Sequence, residues 1–541
     1  MTITVRTVGD PQVRATYLEH DWWRAERTYD NDFRRWAALR PGHAALVAHE
    51  VDTGETVTVS YGELADRVSR CAAGLRSHGV TAGSVVSFQL PNCWQFAVLV
   101  FACARLGAVV HPILPIHRER EVTHAIRAVG STLCVVASRI GGFDVKAMYN
   151  ELALGVPVVT VGRGGDTCEF ESALLSAELP ASGTDEPAQV APDSVAQVQF
   201  TSGTTGEPKG VVHTFNTLYA AYRATAIAAE LGCDDVVLAP STMAHQTAFL
   251  GGCVMPLAEG MTAVYLDKWD PERALSLISD HRVTFASGAT PFMLDLCIAQ
   301  QRLQRDVTPL RAFKSGGAAV PDSVRARVRT ELGAEVSMAW GMTENGVCTM
   351  TRPGAGADQA DGSPLPWVEL KITDNSGVPQ PAGTVGKLWI RSASQCVDYF
   401  PRHDLYEAAL DAEGWFDTGD LAEIRTDGNL RIAGRVKDMI IRGGENIPVL
   451  EVENALSAHP GVADVAVVGI PDERLGERAC AVVVPKEGGG FDLDALRAHL
   501  DTLGMARQYW PESVRLVNAL PRTTTGKVQK NELREAIAKA R

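Results

Sequence analysis

The sequence predicts an α/β protein: a large N-terminal domain made of two layered α/β lobes and a small β subdomain, followed by a small C-terminal α+β domain. Three observations lead there. Short apolar runs alternate with helical patterns from about residue 84, the alternation resumes after a loop rich in Gly and Thr, and the character changes again around Gly434-Arg435-Val436-Lys437-Asp438.

Val85 to Leu90 reads as a buried strand, Trp94 to Leu106 as a helix and Ala108 to Ile113 as the next strand. Glu121 to Val129, Leu133 to Ala137, Val145 to Leu154 and Val158 to Val161 continue the pattern. Such β-α-β units imply parallel strands, right-handed crossovers and helices on both faces. A second set, Val236 to Ala239, Met261 to Tyr265 and Thr284 to Ala286, implies the second lobe. From Pro364 to Ile390 short alternating runs are separated by the turns Asp374-Asn375, Ser376-Gly377 and Ala382-Gly383, which suits a small β subdomain. Beyond Asp438 about a hundred residues, with strands Val465 to Ile470 and Ala479 to Val484, match a small α+β domain.

At 541 residues, with 45% apolar and 21% charged, the chain is too long for one core. The formal charge of -14, from 51 basic and 65 acidic residues, argues against a nucleic-acid partner, so an anionic substrate must be attracted locally. Eleven cysteines form no Cys-x-x-Cys pair and have no histidine at zinc spacing, which reads as reduced core thiols. Met1 to Asp10 carries neither an apolar core nor a cleavage site, so the expected location is cytoplasmic. The longest apolar run, Phe96 to Val110, has 15 residues and contains Arg105 and Gly107, which is short and broken for a transmembrane segment.

The most informative stretch is Gln199-Phe200-Thr201-Ser202-Gly203-Thr204-Thr205-Gly206-Glu207-Pro208-Lys209-Gly210, with four hydroxyls, three glycines and one lysine behind an apolar strand. Glycine lets backbone N–H groups approach an anion, hydroxyls add rotatable donors, and Lys209 adds a mobile positive charge, so the stretch reads as a phosphate cradle. The Walker A spacing is absent, which points to another nucleotide-binding class. Met338-Ala339-Trp340-Gly341-Met342-Thr343-Glu344 then puts an aromatic ring, a hydroxyl and a carboxylate within five positions, a set suited to one nucleotide.

These segments resemble the motifs of the adenylate-forming superfamily of acyl- and aryl-CoA ligases, luciferases and peptide-synthetase adenylation domains. Asp417-Thr418-Gly419-Asp420, Arg435, Ser315-Gly316-Gly317-Ala318-Ala319 and Pro521-Arg522-Thr523-Thr524-Thr525-Gly526-Lys527 add to the resemblance, which covers nearly the whole chain. It implies a nucleotide- and acyl-binding domain over 1–434 and a mobile lid over 435–541, with a hinge at Lys437. It also implies ATP, Mg2+ and coenzyme A as cofactors. Thr201, Ser202, Gly203, Thr204, Thr205 and Lys209 would cradle phosphates, Gly317 and Ala318 would line the adenine and acyl sites, and Trp340 and Gly341 would flank adenine. A tight turn accounts for Gly316 and Gly317 as well. Thr343 would contact the α-phosphate, Glu344 and Thr204 would hold Mg2+, Asp420 and Arg435 would meet the ribose, and Lys527 would be the catalytic lysine. Gly443 and Gly444 would let the coenzyme A arm lie close to the backbone, although an ordinary turn is an alternative there.

Ala239 to Phe249 resembles the family's acyl segment, with His245 near the substrate carboxylate, and it lacks the aspartate that amino-acid-activating relatives carry. A non-amino carboxylic acid is therefore implied. Gly341 stands where acetate-specific relatives have a bulky indole, which implies a deep acyl cavity. The subgroup resembled is that of ligases for short- and medium-chain fatty acids or cyclohexanecarboxylate. Partners expected are the acid, ATP and coenzyme A, with no nucleic acid; self-association as a homodimer is left open. Two rivals stand beside the ligase: an enzyme loading a carrier-protein thiol, and a non-catalytic nucleotide-binding regulator, against which Glu344, Asp420, Arg435 and Lys527 together argue.

Overall fold

The helix Trp94–Leu106 is buried on every side, and Gly107, at φ 67°, ends it in the left-handed region that glycine adopts without cost. Arg105 is tolerated in this apolar helix because its guanidinium lies 3.0 Å from Asp30 and donates to Ser69 Oγ at 2.7 Å. The strands before and after it, Val85–Gln89 and Val109–Pro112, pair in parallel, as the β-α-β reading requires. The chain is described here from a computed structural model over residues 11–166, 168–177, 189–201, 209–316, 320, 322–352, 361–442, 445–472, 475–486, 491–523 and 527–539.

Two compact units are present, one of residues 1–358, 362–369 and 391–414, the other of residues 359–361, 370–390 and 415–541. The first contains both expected lobes. Its seven-stranded sheet runs Asp398–Phe400, Lys209–Thr214, Val195–Thr201, Val109–Pro112, Val85–Gln89, Leu133–Ala137, Val158–Val161. The five strands from Val195–Thr201 onward are parallel, and Lys209–Thr214 and Asp398–Phe400 add an antiparallel edge.

The nine-stranded sheet runs Ser363–Pro364, Gly346–Met350, Glu335–Met342, Ala312–Gly316, Phe285–Ser287, Val236–Leu238, Thr262–Leu266, Ala44–His49, Thr56–Ser60. It is parallel from Glu335–Met342 to Ala44–His49 and antiparallel at both edges. Buried strands of this kind read as continuous apolar runs, which is why they were visible in the sequence. In open parallel sheets ligands gather beyond the carboxyl ends of the strands, where Thr201, Gly316 and Met342 end their strands here.

In the second unit Gly386–Ser392, Phe416–Ile424 and Leu430–Arg435 form an antiparallel meander within a four-stranded sheet. The C-terminal part pairs Val462–Asp472 with Gly476–Pro485 and carries the helices Val449–Ser457, Leu493–Thr502 and Lys530–Lys539. Along Gly476–Pro485 the side chains alternate: Ala479, Ala481 and Val483 pack with Leu496 and Leu500, whereas Cys480 and Val482 pack with Leu533 and Ile537. A core on both sheet faces gives the α+β domain expected. Among the described residues no helix is long and apolar enough to cross a membrane. None of the eleven cysteines forms a disulfide, and nine of them are buried.

Candidate active site

The edge of the seven-stranded sheet fixes the first part of the site. Lys209, Val211 and His213 alternate onto one face of their strand, and Tyr399 stands directly opposite Val211 on the neighbouring strand. Against this face sits the turn Thr343-Glu344-Asn345, which joins the strands Glu335–Met342 and Gly346–Met350 of the other sheet. Lys209 Nζ lies 3.1 Å from Glu344 Oε1 and 3.6 Å from the Tyr399 ring centre, and Tyr399 donates its hydroxyl to the same carboxylate at 2.6 Å. Lys209 is thus tethered by an ion pair and a cation–π contact, where the sequence suggested a mobile cation. Burial and the Glu344 carboxylate both push the Tyr399 phenol up, so it stays a donor.

The turn itself is clamped. His213 Nε2 lies 2.8 Å from the Thr343 carbonyl, which can only accept, so the neutral ring carries its proton on Nε2 and offers Nδ1 to the Thr217 hydroxyl at 3.0 Å. Burial pushes His213 down to about 4, which keeps that tautomer neutral near pH 7. On the other side Cys396 N donates to the Glu344 carbonyl at 2.6 Å, and Ser392 and Ser394 donate to Asn345 at 2.7 and 2.9 Å. Such a turn holds Thr343 and Glu344 in fixed positions without using their side chains.

Trp340 is 9% exposed on its strand, and Gly316 ends the neighbouring strand, where a Cβ would come 2.6 Å from the Ala339 carbonyl. At Gly341 an added Cβ would overlap the Gly346 carbonyl and lie 2.9 Å from Val347 Cα. The missing side chain at Gly341 thus makes room for the adjacent strand, at the bulge between Trp340 and Gly341. His245 caps the short helix Gln246–Ala248, accepting from Thr247 N at 3.4 Å, and a π-helical turn, Phe249–Val254, follows at once. Such turns are frequent at functional sites.

In the second unit Asp420 and Arg435, fifteen residues apart, are register partners across one hairpin, with Arg435 Nε 3.0 Å from Asp420 Oδ1. Asp420 is buried, and its backbone N–H donates to Thr418 Oγ1 at 3.1 Å. Lys437 lies in the 3-10 turn Val436–Asp438, and Asp438 holds Arg534 at 2.9 Å. Lys527 is exposed; Thr523 N donates to its carbonyl at 2.7 Å, its N–H donates to Thr523 Oγ1 at 3.1 Å, and Arg522 and Val528 form a β-bridge. Ser202, Gly203, Thr204, Thr205, Gly317, Ala318, Gly443 and Gly444 lie outside the described residues.

Among the described residues no three His, Cys, Asp or Glu side chains gather into a metal-binding group. The one carboxylate at the turn, Glu344, nevertheless fits Mg2+, which commonly takes one or two protein carboxylates and completes its shell with substrate phosphates and water.

A model of the AMP-binding enzyme family matches residues 33–400, and one of the AMP-binding enzyme C-terminal domain matches residues 451–527. The chain belongs to the AMP-binding enzyme family. The chain of this AMP-binding enzyme is 33% identical to the medium-chain fatty-acid–CoA ligase of Escherichia coli (strain K12), over 97% of this chain and 93% of that one. It is 35% identical to the salicyl-AMP ligase / salicyl-S-ArCP synthetase of Mycobacterium tuberculosis, over 96% and 92%. Among solved structures, ATP-bound MatB from Rhodopseudomonas palustris superposes with a TM-score of 0.83 at 27% identity, covering 94% of this chain and 99% of that one. The relatives thus include both a CoA ligase and an enzyme named for an ArCP thioester.

Three parts of this AMP-binding enzyme escaped the sequence reading: His213, Tyr399 and the Ser392-Ser394-Cys396 clamp. The signal for His213 was present, since Lys209 and His213 share a strand face at period two. Tyr399 gave none, because its place beside Lys209 depends on a strand pairing almost two hundred residues away.

Proposed function

We propose that the protein is an ATP-dependent acid:CoA ligase that activates a non-amino carboxylic acid, short- or medium-chain, alicyclic or aryl. The observation that carries this reading is the clamped turn at Thr343 and Glu344, whose Glu344 carboxylate meets Lys209 at the end of the glycine- and threonine-rich segment. A substrate carboxylate oxygen attacks the α-phosphorus, the bond to the bridging oxygen of pyrophosphate breaks, and an acyl-adenylate forms. The coenzyme A thiolate then attacks the acyl carbon and AMP leaves.

The residues divide this work. Thr343 donates to an α-phosphate oxygen, and Lys209 and Lys527 offset the charge that builds on the phosphates as pyrophosphate departs. Glu344 and Thr204 would hold Mg2+, which screens phosphate charge when it arrives with the nucleotide. Asp420 accepts from the ribose hydroxyls, with Arg435 beside it, and Trp340 offers a stacking face to adenine. The lysine needed in the first step would obstruct the thiol in the second, so the division at residues 434 and 435 would act as lid and body, turning about Lys437. Gly434, at φ 148°, precedes that point in a conformation open mainly to glycine. The buried free thiols suit a cytoplasmic location.

The second reading, transfer to a carrier-protein thiol, is favoured by the 35% identity to the mycobacterial salicyl-S-ArCP synthetase. A panel of acids assayed for pyrophosphate release, alone, with coenzyme A and with a phosphopantetheinylated carrier, tests both. Acid-dependent release with thioester on coenzyme A supports the ligase; thioester on the carrier alone replaces it with the loader.

A further inference from the structure

One charged group of the first unit has no task in the reaction just described. Lys314, on the strand Ala312–Gly316 two residues before Gly316, is 3% exposed, and its ammonium has neither a hydrogen bond nor an ion pair among the described residues. Its register neighbours are Ser287 on one side and Ser337 on the other, so the three side chains share one face of the nine-stranded sheet. Both serines are buried, and Ser337 Oγ also lacks a partner among the described residues.

The tip of Lys314 points at the π-helical turn that follows His245. A Cβ built on Gly251 would lie 3.9 Å from Lys314 Nζ and, outside its own helical turn, would meet no other described residue within 4 Å. Glycine at this position leaves the ammonium uncovered. Gln246, at the start of the same helical segment, is 2% exposed, and neither end of its amide has a partner among the described residues. Polar side chains buried in a native protein are nearly always paired, so a group of unpaired ones at the carboxyl end of a parallel sheet calls for a ligand. Lysine donates only, and the serine hydroxyls can donate beside it; the complement of such a set is a group that only accepts.

Resting on the ligase reading above, we propose that Lys314, with Ser287 and Ser337, receives a second carboxylate at the far end of the acyl chain, so that the preferred substrate is a dicarboxylic acid activated at one end. Burial alone pushes the ammonium down to about 8, and an incoming carboxylate supplies the counter-charge that the protein withholds. Lys314 is a specificity-determining residue: it touches the end of the substrate remote from the phosphorus. The contact exists before and during the attack, so its loss raises KM more than it lowers kcat.

The test measures kcat/KM for pyrophosphate release by the full-length enzyme over the α,ω-diacids from propanedioic to decanedioic and over the monoacids of matching length, for the wild type, Lys314→Met and Lys314→Gln. The expected result is a diacid preferred by at least about tenfold over its matched monoacid, with Lys314→Met lowering the diacid value by about a hundredfold, chiefly through KM, and inverting the preference. Lys314→Gln, which keeps a donor without charge, falls between. A wild type that prefers monoacids overturns the proposal and leaves the ligase intact. So does a diacid-to-monoacid ratio that moves less than about threefold in Lys314→Met. If no pyrophosphate is released with any of these acids or with the alicyclic and aryl acids run beside them, the ligase reading and this one fall together.

Discussion

Lys209 and Glu344 meet at 3.1 Å although they arise from different sheets and are 135 positions apart, and the pair joins the strand Lys209–Thr214 to the turn Thr343-Glu344-Asn345. Glu344 is 8% exposed at its side chain and Lys209 21%, so the pair is little screened by solvent. Glu344→Gln keeps the shape and removes the charge. Pyrophosphate release should fall by about a hundredfold or more, with the apparent requirement for Mg2+ raised. Tyr399→Phe removes only one hydrogen bond to that carboxylate and should cost about 1 kcal/mol of stability with a smaller loss of rate. Steady-state kinetics and thermal melts of both variants check this; an equal loss in the two would contradict the assigned roles.

His213 predicts an acid sensitivity. Its folded-state value, about 4, lies below the ordinary 6.5, so the unfolded chain binds the extra proton first. The stability the neutral ring contributes is therefore complete above pH 6.5 and is lost as the pH falls toward 4, up to about 3 kcal/mol. Melts of wild type and His213→Gln should diverge least at pH 4 and most above pH 6.5. Comparing the difference between the two proteins removes the parallel contribution of buried His111, which is pushed down to about 3.

Lys314 predicts the corresponding effect on the alkaline side. An ammonium lowered from 10.5 to about 8 by burial destabilises the fold by about 3 kcal/mol where it is charged. Because the unfolded chain holds that proton up to pH 10.5, the wild type gains stability as the pH rises from 8 to 10.5. Without ligand, Lys314→Met should therefore melt higher than the wild type at pH 7, with the gap closing by pH 10. Differential scanning at several pH values reads this directly.

Asp420 and Arg435 predict a separation of binding from stability. Arg435 is 49% exposed, so the pair contributes at most about 1 kcal/mol to the fold. Asp420→Asn should melt within a few degrees of the wild type yet weaken ATP binding by about tenfold or more, because an amide offers one acceptor to the ribose diol where a carboxylate offers two. Calorimetric titration of ATP, set beside a melt, distinguishes the two effects.

Lys437 and Lys527 predict half-reactions that come apart. Lys437→Pro should leave acid-dependent pyrophosphate release near the wild-type rate and suppress thioester formation, since the first step needs one arrangement of the lid and the second another. Lys527→Ala should do the reverse: lose adenylate formation by about a hundredfold or more while thiolysis of a supplied acyl-adenylate proceeds. Equal losses in both half-reactions of either variant would remove it from its assigned role.

By itself the sequence determined the layers and the family to which the chain belongs. Runs such as Val85–Gln89 and Leu133–Ala137 are buried on both faces and so read as uninterrupted apolar strands, and the helix Trp94–Leu106 announces its end at Gly107. The motifs around Lys209, Glu344, Asp420 and Lys527, for which nucleotide contacts are proposed, were legible because each is a short local pattern of side chains. The partners of those side chains were decided only by tertiary structure. Tyr399 reaches Glu344 through the pairing of Asp398–Phe400 with Lys209–Thr214, Gly341 is fixed by the backbone of the adjacent strand, and Lys314 stands unpaired because the π-helical turn presents Gly251 to it. Spacing along a chain records what one segment can offer a ligand; which distant segment closes on it depends on strand register and packing, and these form no pattern within any single stretch.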